Sequence, residues 1–317
     1  MEEVKKIATR ESYGNTLAEL GKENPDLYVM DADLAAATKT SIFKKAFPER
    51  FIDTGIAEGN MMGIAAGLAS CGKTVFASSF AMFATGRSYE QIRNTIAYPK
   101  LNVKICASHA GITVGEDGAS HQCIEDIALM RAIPGMVVMC PADDVEARAA
   151  VRAAAEYKGP VYMRLGRAAV PVINDPATYK FEWGKGIKVR EGKDVTLIAS
   201  GVMVDSAIKA AKMFEADGID AEVIDIHTIK PIDEEIIIES AKKTGVVITV
   251  EEHSIIGGLG SAVCDVLCEH YPVRVKKIGI NDRFGESGSA SALMEKYKLD
   301  GKGVYEQAKE YYESLKK

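Results

Sequence analysis

The chain has 317 residues, 47% of them apolar and 26% charged, with a formal net charge of −6. That length fits about two domains of ordinary size, with cores large enough to need no disulfide or metal staple. The acidic balance argues against a general binder of nucleic acid or acidic membrane, and no run reaches the roughly twenty apolar residues that span a bilayer. The six cysteines form no Cys-x-x-Cys pair, and the opening Met-Glu-Glu-Val-Lys-Lys has neither a basic nor an apolar leader region. Together these features predict a cytoplasmic protein with reduced thiols.

In chain order the sequence reads as a βα alternation. Strands are predicted at 27–30, 50–54, 74–77, 103–107, 136–139 and 161–163, with helices between them. The helix over 142–157 follows Pro141 and carries Asp143, Asp144 and Glu146 in its first turns. Such alternation predicts an α/β fold with a doubly wound parallel sheet. The stretch 171–193 holds Pro171, Asn174, Asp175, Pro176, Trp183, Gly184 and Gly186 without periodicity, and reads as a linker between domains at 1–170 and 194–317. Beyond it, strands at 195–199, 221–226, 245–250 and 273–280 alternate with helices, and the charged residues 295–317 read as a helical end. Gly257-Gly-Leu-Gly260 has the wrong spacing for a dinucleotide turn and reads as a helix start. His253, just before it, follows Glu251-Glu252 at a strand end where such folds place ligands, but reads first as a satisfied surface or interface histidine.

Residues that carry chemistry collect at the carboxyl ends of the first-domain strands. Glu58 stands in Asp53-Thr-Gly-Ile-Ala-Glu58-Gly-Asn60, ahead of the small, apolar run at 61–68. Packing of that helix strips water from the carboxylate, and desolvation favours its protonated form. The plainer alternative is a helix-start glutamate that complements the macrodipole. Phe80 and Phe83 follow the strand at 74–77 and present rings to a planar heterocycle, or serve as core. After the strand at 103–107 comes His109-Ala-Gly-Ile-Thr-Val-Gly115-Glu-Asp117-Gly-Ala-Ser-His121. A glycine-rich loop with two imidazoles and two carboxylates marks a site rather than a core.

Ala8-Thr-Arg10, Asp31-Ala-Asp33-Leu34, Gly55-Ile-Ala-Glu58, Phe80-Ala-Met-Phe83, His109, Gly115-Glu-Asp117-Gly-Ala-Ser-His121 and Met163-Arg164 together resemble the C-terminal half of transketolase, in family order. The resemblance implies a pyrimidine-binding domain for thiamine diphosphate, followed by a transketolase C-terminal-like α/β domain that serves mainly assembly. It implies that Glu58 is the catalytic glutamate at the aminopyrimidine, in a cofactor pocket with Phe80, Phe83 and Asp33. His109 and Asp117 then contact the donor sugar, His121 lies near the acceptor carbonyl, and Arg10 with Arg164 binds a sugar phosphate. The chain departs from the family at Gly86, where transketolases carry a tyrosine, and at Ala35-Ala-Ala37-Thr38, where they carry a phosphate-binding serine. Thr38 or Thr40 offers a substitute hydroxyl.

Thiamine enzymes hold Mg²⁺ and the diphosphate on a Gly-Asp-Gly motif followed roughly thirty residues later by Asn, because hard oxygen ligands must bridge metal and phosphates. This sequence contains no Gly-Asp-Gly. The expectation is therefore the C-terminal subunit of a split transketolase, paired with a diphosphate-binding N-terminal subunit that carries the metal ligands. Two copies of each chain would form a heterotetramer, with the small-residue helix at 60–70 central to its interface, and would transfer a two-carbon ketol unit between sugar phosphates, as in the pentose phosphate pathway. The alternatives are the beta subunit of a 2-oxoacid dehydrogenase decarboxylase, a sulfo-sugar or branched-sugar transketolase subunit, and a non-catalytic subunit that keeps the fold.

Overall fold

The computed structural model describes residues 5–316, so the opening at 1–4 and Lys317 lie outside the described residues. The strands are β1 (Lys6–Ala8), β2 (Leu27–Asp31), β3 (Phe51–Asp53), β4 (Thr74–Phe80), β5 (Val103–Ser108), β6 (Val137–Met139), β7 (Val161–Arg164), β8 (Ala169–Pro171), β9 (Ile187–Arg190), β10 (Val195–Ala199), β11 (Ala221–Asp225), β12 (Thr228–Lys230), β13 (Val246–Ser254) and β14 (Arg274–Ile280). One sheet runs β12-β6-β7-β5-β4-β2-β3 and is parallel except for β12. The other runs β14-β13-β10-β11-β9 and is parallel except for β9. The pair β1-β8 forms a separate antiparallel ribbon.

Every strand predicted from the sequence is present. The short strands β1, β8, β9 and β12 were not predicted, because three or four residues at a sheet edge carry too little alternation to read. The linker expectation at 171–193 is corrected accordingly: Ile187–Arg190 belongs to the second sheet, and its residues pair antiparallel with β11. β12 reaches back from the second half to pair with β6, Thr228 opposite Met139, so the two halves share a sheet.

Helices cover both faces of each sheet. Thr9–Glu23, Ser41–Ala46 and Asp144–Glu156 pack Tyr13, Leu17, Phe43, Ala150 and Val151 against Leu27, Val29 and Phe76. Glu58–Ser70 and Asp126–Arg131 bury Met61, Met62, Ile127 and Met130 on the opposite face, and that core continues into Ile198, Ile224 and Leu259 of the second half. Start signals are read locally: Asp143 accepts a hydrogen bond from the Glu146 amide at 2.9 Å, and Asp233 one from Ile236. The charged end forms two helices, Ala290–Lys296 and Gly301–Ser314, the second capped by Asp300. Leu259–His270 starts after Gly258, and its first amides are taken by the Glu251 carboxylate at 2.7 and 2.9 Å.

At one end of the junction between the halves sits a buried ion network. Arg164, 5% exposed at the end of β7, donates to Asp126 at 2.9 Å and to the Glu252 carbonyl at 3.1 Å, with the Glu252 carboxylate at 3.5 Å. The Tyr162 hydroxyl donates to the same Asp126 oxygen at 2.7 Å. His253 beside them donates from Nδ1 to the Ser254 carbonyl and accepts the Ala128 amide at Nε2, as a neutral imidazole does; burial holds it down at about 4. Removing the cation would strand two buried carboxylates. Arg164→Met should therefore lower the unfolding free energy by about 3–5 kcal/mol in urea titrations, and an unchanged midpoint would contradict this account of the junction.

Candidate active site

The carboxyl ends of the neighbouring strands β5, β4, β2 and β3 bring the predicted site residues to one edge. Glu58 opens its helix and is 3% exposed. Arg87, which the sequence reading did not single out, donates from Nη1 to both Glu58 oxygens at 3.2 and 3.3 Å, and its guanidinium lies 4.1 Å from the Phe83 ring centre. Phe83 stacks with Phe80 at 5.9 Å, Phe80 stacks with His109 at 3.8 Å, and His121 meets the edge of Phe83 at 5.2 Å. A continuous row of flat groups thus runs from the Glu58 carboxylate to the imidazoles.

His109 adopts a left-handed backbone, φ 56°, and its Nδ1 lies 2.9 Å from the Ser108 hydroxyl. Burial first, then the positive field of Arg10 and Arg167, pushes its ring down to about 3, so it is neutral at physiological pH. His121 is half-buried with Nδ1 3.0 Å from the Ser120 hydroxyl, and Asp117 is exposed on the same loop. Asp33, exposed at φ 63°, donates its amide to the Asp53 carboxylate at 3.0 Å.

Two substrate assignments are corrected. Arg164 is buried in the ion network just described, its charge consumed by Asp126 and Glu252, and is unavailable to a phosphate. The arginine beside Arg10 is Arg167: Arg10 donates from Nε to the Arg167 carbonyl at 3.2 Å and from Nη1 to the Ala37 carbonyl at 2.6 Å, and Arg167 donates to the Val114 carbonyl and, at 3.0 Å, to Glu116. The clue in the sequence was position: Arg164 ends a strand, whereas Arg167 lies in the loop beyond it, where such folds place ligands. Thr38 and Thr40 do not supply a free hydroxyl either, since both donate to Asp31, at 2.6 and 2.9 Å. Burial raises that carboxyl to about 6.

The loop bearing the imidazoles is held from the second half. Glu252 accepts the Thr113 amide at 3.2 Å, Ser254 donates its amide to the Ile124 carbonyl at 2.7 Å, and Gln122 donates to the Gly115 and Glu286 carbonyls at 3.2 and 2.9 Å. Gly111, at φ 75°, passes so close to Glu252 that a Cβ there would strike its carboxylate. The C-terminal half, expected to serve mainly assembly, therefore also shapes the site. Gly86, which replaces the expected tyrosine, borders a cleft of about 480 Å³ with Met82, Phe83, Arg87, Ser120 and Phe284. Since His109 stays neutral, its ring proton resonances should not move between pH 8 and pH 5 in NMR titrations; an inflection near the ordinary 6.5 would contradict this electrostatic picture.

The chain matches the transketolase pyrimidine-binding domain over residues 5–172 and the transketolase C-terminal domain over residues 184–304. It is 54% identical over 312 residues to a chain from Methanocaldococcus jannaschii described as a transketolase C-terminal section, covering 97% of this chain and 96% of that one. It is 43% identical to a 6-deoxy-6-sulfo-D-fructose transketolase subunit from Clostridium sp. strain MSTE9, covering 96% and 94%. A solved split-gene transketolase, an inactive beta4 tetramer, superposes with a TM-score of 0.89 at 57% identity and coverage of 96% and 98%. The chain belongs to the transketolase family, as a C-terminal subunit made of the pyrimidine-binding and C-terminal domains.

Proposed function

We propose that this chain is the C-terminal subunit of a cytoplasmic, thiamine-diphosphate-dependent transketolase that moves a two-carbon ketol unit from a ketose phosphate to an aldose phosphate, the exchange characteristic of the pentose phosphate pathway. The observation that carries the reading is that the buried Glu58 carboxylate and the Phe83 ring together hold one planar N–H donor, the Arg87 guanidinium. An aminopyrimidine has the same flat face and in-plane donors, so the residues fit the cofactor. Glu58, Phe80, Phe83 and Asp33 would hold it; once bound, it supplies the electron sink for cleaving the ketose carbon–carbon bond.

The chain's own residues do the rest. Glu58 holds a proton at the pyrimidine ring nitrogen. Neutral His109 offers Nε2 to a hydroxyl of the donor sugar while Ser108 fixes Nδ1. Asp117 accepts from a sugar hydroxyl, and His121 exchanges a proton at the acceptor carbonyl oxygen. Arg10 and Arg167, the latter also braced by the exposed Glu116, would offer guanidinium donors to a phosphate. The diphosphate and Mg²⁺ fall to an N-terminal subunit, two copies of each chain forming a heterotetramer. Its docking surface would be the helix Glu58–Ser70, where no side chain stands over Gly63 or Gly67, flanked by the exposed Ile56 and Tyr98.

Reconstitution with the N-terminal subunit tests the proposal. Glu58→Gln should fold and assemble but slow exchange of the thiazolium proton by several powers of ten; wild-type exchange would remove Glu58 from the mechanism. Arg167→Ala should raise KM for phosphorylated sugars over unphosphorylated ones by about 1.5–3 kcal/mol. Equal losses on both sugar types would make Arg167 a structural residue.

A further inference from the structure

We propose that Arg87 is a built-in placeholder for the cofactor's pyrimidine, which covers Glu58 and Phe83 in the free subunit and must swing out before the ring can enter. The inference rests on the cofactor reading above. A guanidinium is planar, donates in its plane and stacks on aromatic faces. Arg87 uses all of these properties at once, with Nη1 on both Glu58 oxygens at 3.2 and 3.3 Å and its centre 4.1 Å from the Phe83 ring centre. Phe80 is already stacked on Phe83 and His121 meets its edge, so the guanidinium occupies ring surface those two leave. A heterocycle that hydrogen-bonds Glu58 and stacks there needs the same oxygens and the same ring surface. Both groups do not fit together.

The arrangement has a physical reason and an exit. A 4% exposed carboxylate side chain without a counter-charge is costly, and Arg87 neutralises it until a ligand arrives. The Arg87 side chain itself is 53% exposed, so its charge returns to water when it leaves. Arg87 itself lines an adjoining cleft of about 480 Å³, which gives the guanidinium room to move. The segment Phe83–Arg87 is a π-type turn, an irregularity common where helices carry function.

The test is calorimetric titration of thiamine diphosphate, with Mg²⁺, into the complex of this chain and the N-terminal subunit, comparing wild type with Arg87→Ala and Arg87→Lys. Arg87→Ala should bind about tenfold more tightly, because no contact has to be broken first. Arg87→Lys keeps the charge but loses the flat stacking face, and should fall between the two. The Glu58→Gln background should shrink the gain from Arg87→Ala, since the charged contact is then already lost. Equal or weaker binding by Arg87→Ala, with wild-type binding intact, would overturn the placeholder and leave the cofactor reading standing. Binding by neither protein in a correctly assembled complex would overturn both.

Discussion

One guanidinium without water around it organises the molecule. Arg164 ends a central strand of the first sheet, and its partners are Asp126 from the same domain and Glu252 from the other. Buried charge is costly unless paired and hydrogen-bonded, so the three groups must stay together, and with them the two halves. The consequence reaches the chemistry because Glu252 also holds the amide of Thr113 and sits under Gly111. The loop from His109 to His121 is therefore anchored on the second domain through the same charge cluster that fastens the domains. Rigid support of this kind is what a site needs if its geometry is to be set before substrate arrives.

The electrostatics of the site follow from how its cations are anchored. Arg164 spends its charge on carboxylates, whereas Arg10 is held by the carbonyls of Ala37 and Arg167, which orient the guanidinium without neutralising it. Burial keeps the His109 imidazole neutral, and the positive field of Arg10 and Arg167 acts in the same direction. A neutral ring can donate from one nitrogen while the other is fixed, which suits it to hydroxyl recognition more than to acid catalysis.

Much of this was legible in the sequence, for identifiable reasons. The long strands and their helices follow hydrophobic periodicity, and Glu58, Phe80 and the glycine-rich loop stand at strand ends where an α/β sheet gathers its ligands. The burial of Arg164 was not legible because motif order gives position along the chain, and only three dimensions tell a guanidinium buried between two carboxylates from the partly exposed Arg167 beside Arg10. Arg87 carried no motif at all. Its significance lies in a side-chain conformation that joins Phe83 to Glu58, which neither composition nor spacing encodes. β12 escaped detection because Thr228–Lys230 gains its order from β6 rather than from its own pattern.

The run Ala35-Ala-Ala37-Thr38 shows how a departure from a family pattern is absorbed. With no side-chain hydroxyl at 35–37, the Ala37 carbonyl anchors Arg10 instead, and the hydroxyls of Thr38 and Thr40 turn inward to Asp31, whose other oxygen takes the Leu34 amide at 2.6 Å. The segment is thus stabilised by its own buried carboxyl and needs no ligand to order it. Burial lifts Asp31 to about 6, against an ordinary 3.8, so the folded chain holds this proton where the unfolded chain releases it. Its contribution to stability is present below about pH 4 and is lost as pH rises through 6, opposite in sign to a salt-bridged aspartate. The hydroxyls at this edge are thus committed inward, and its partly exposed cations, Arg10 and Arg167, are held by main-chain carbonyls and, for Arg167, by the Glu116 carboxylate.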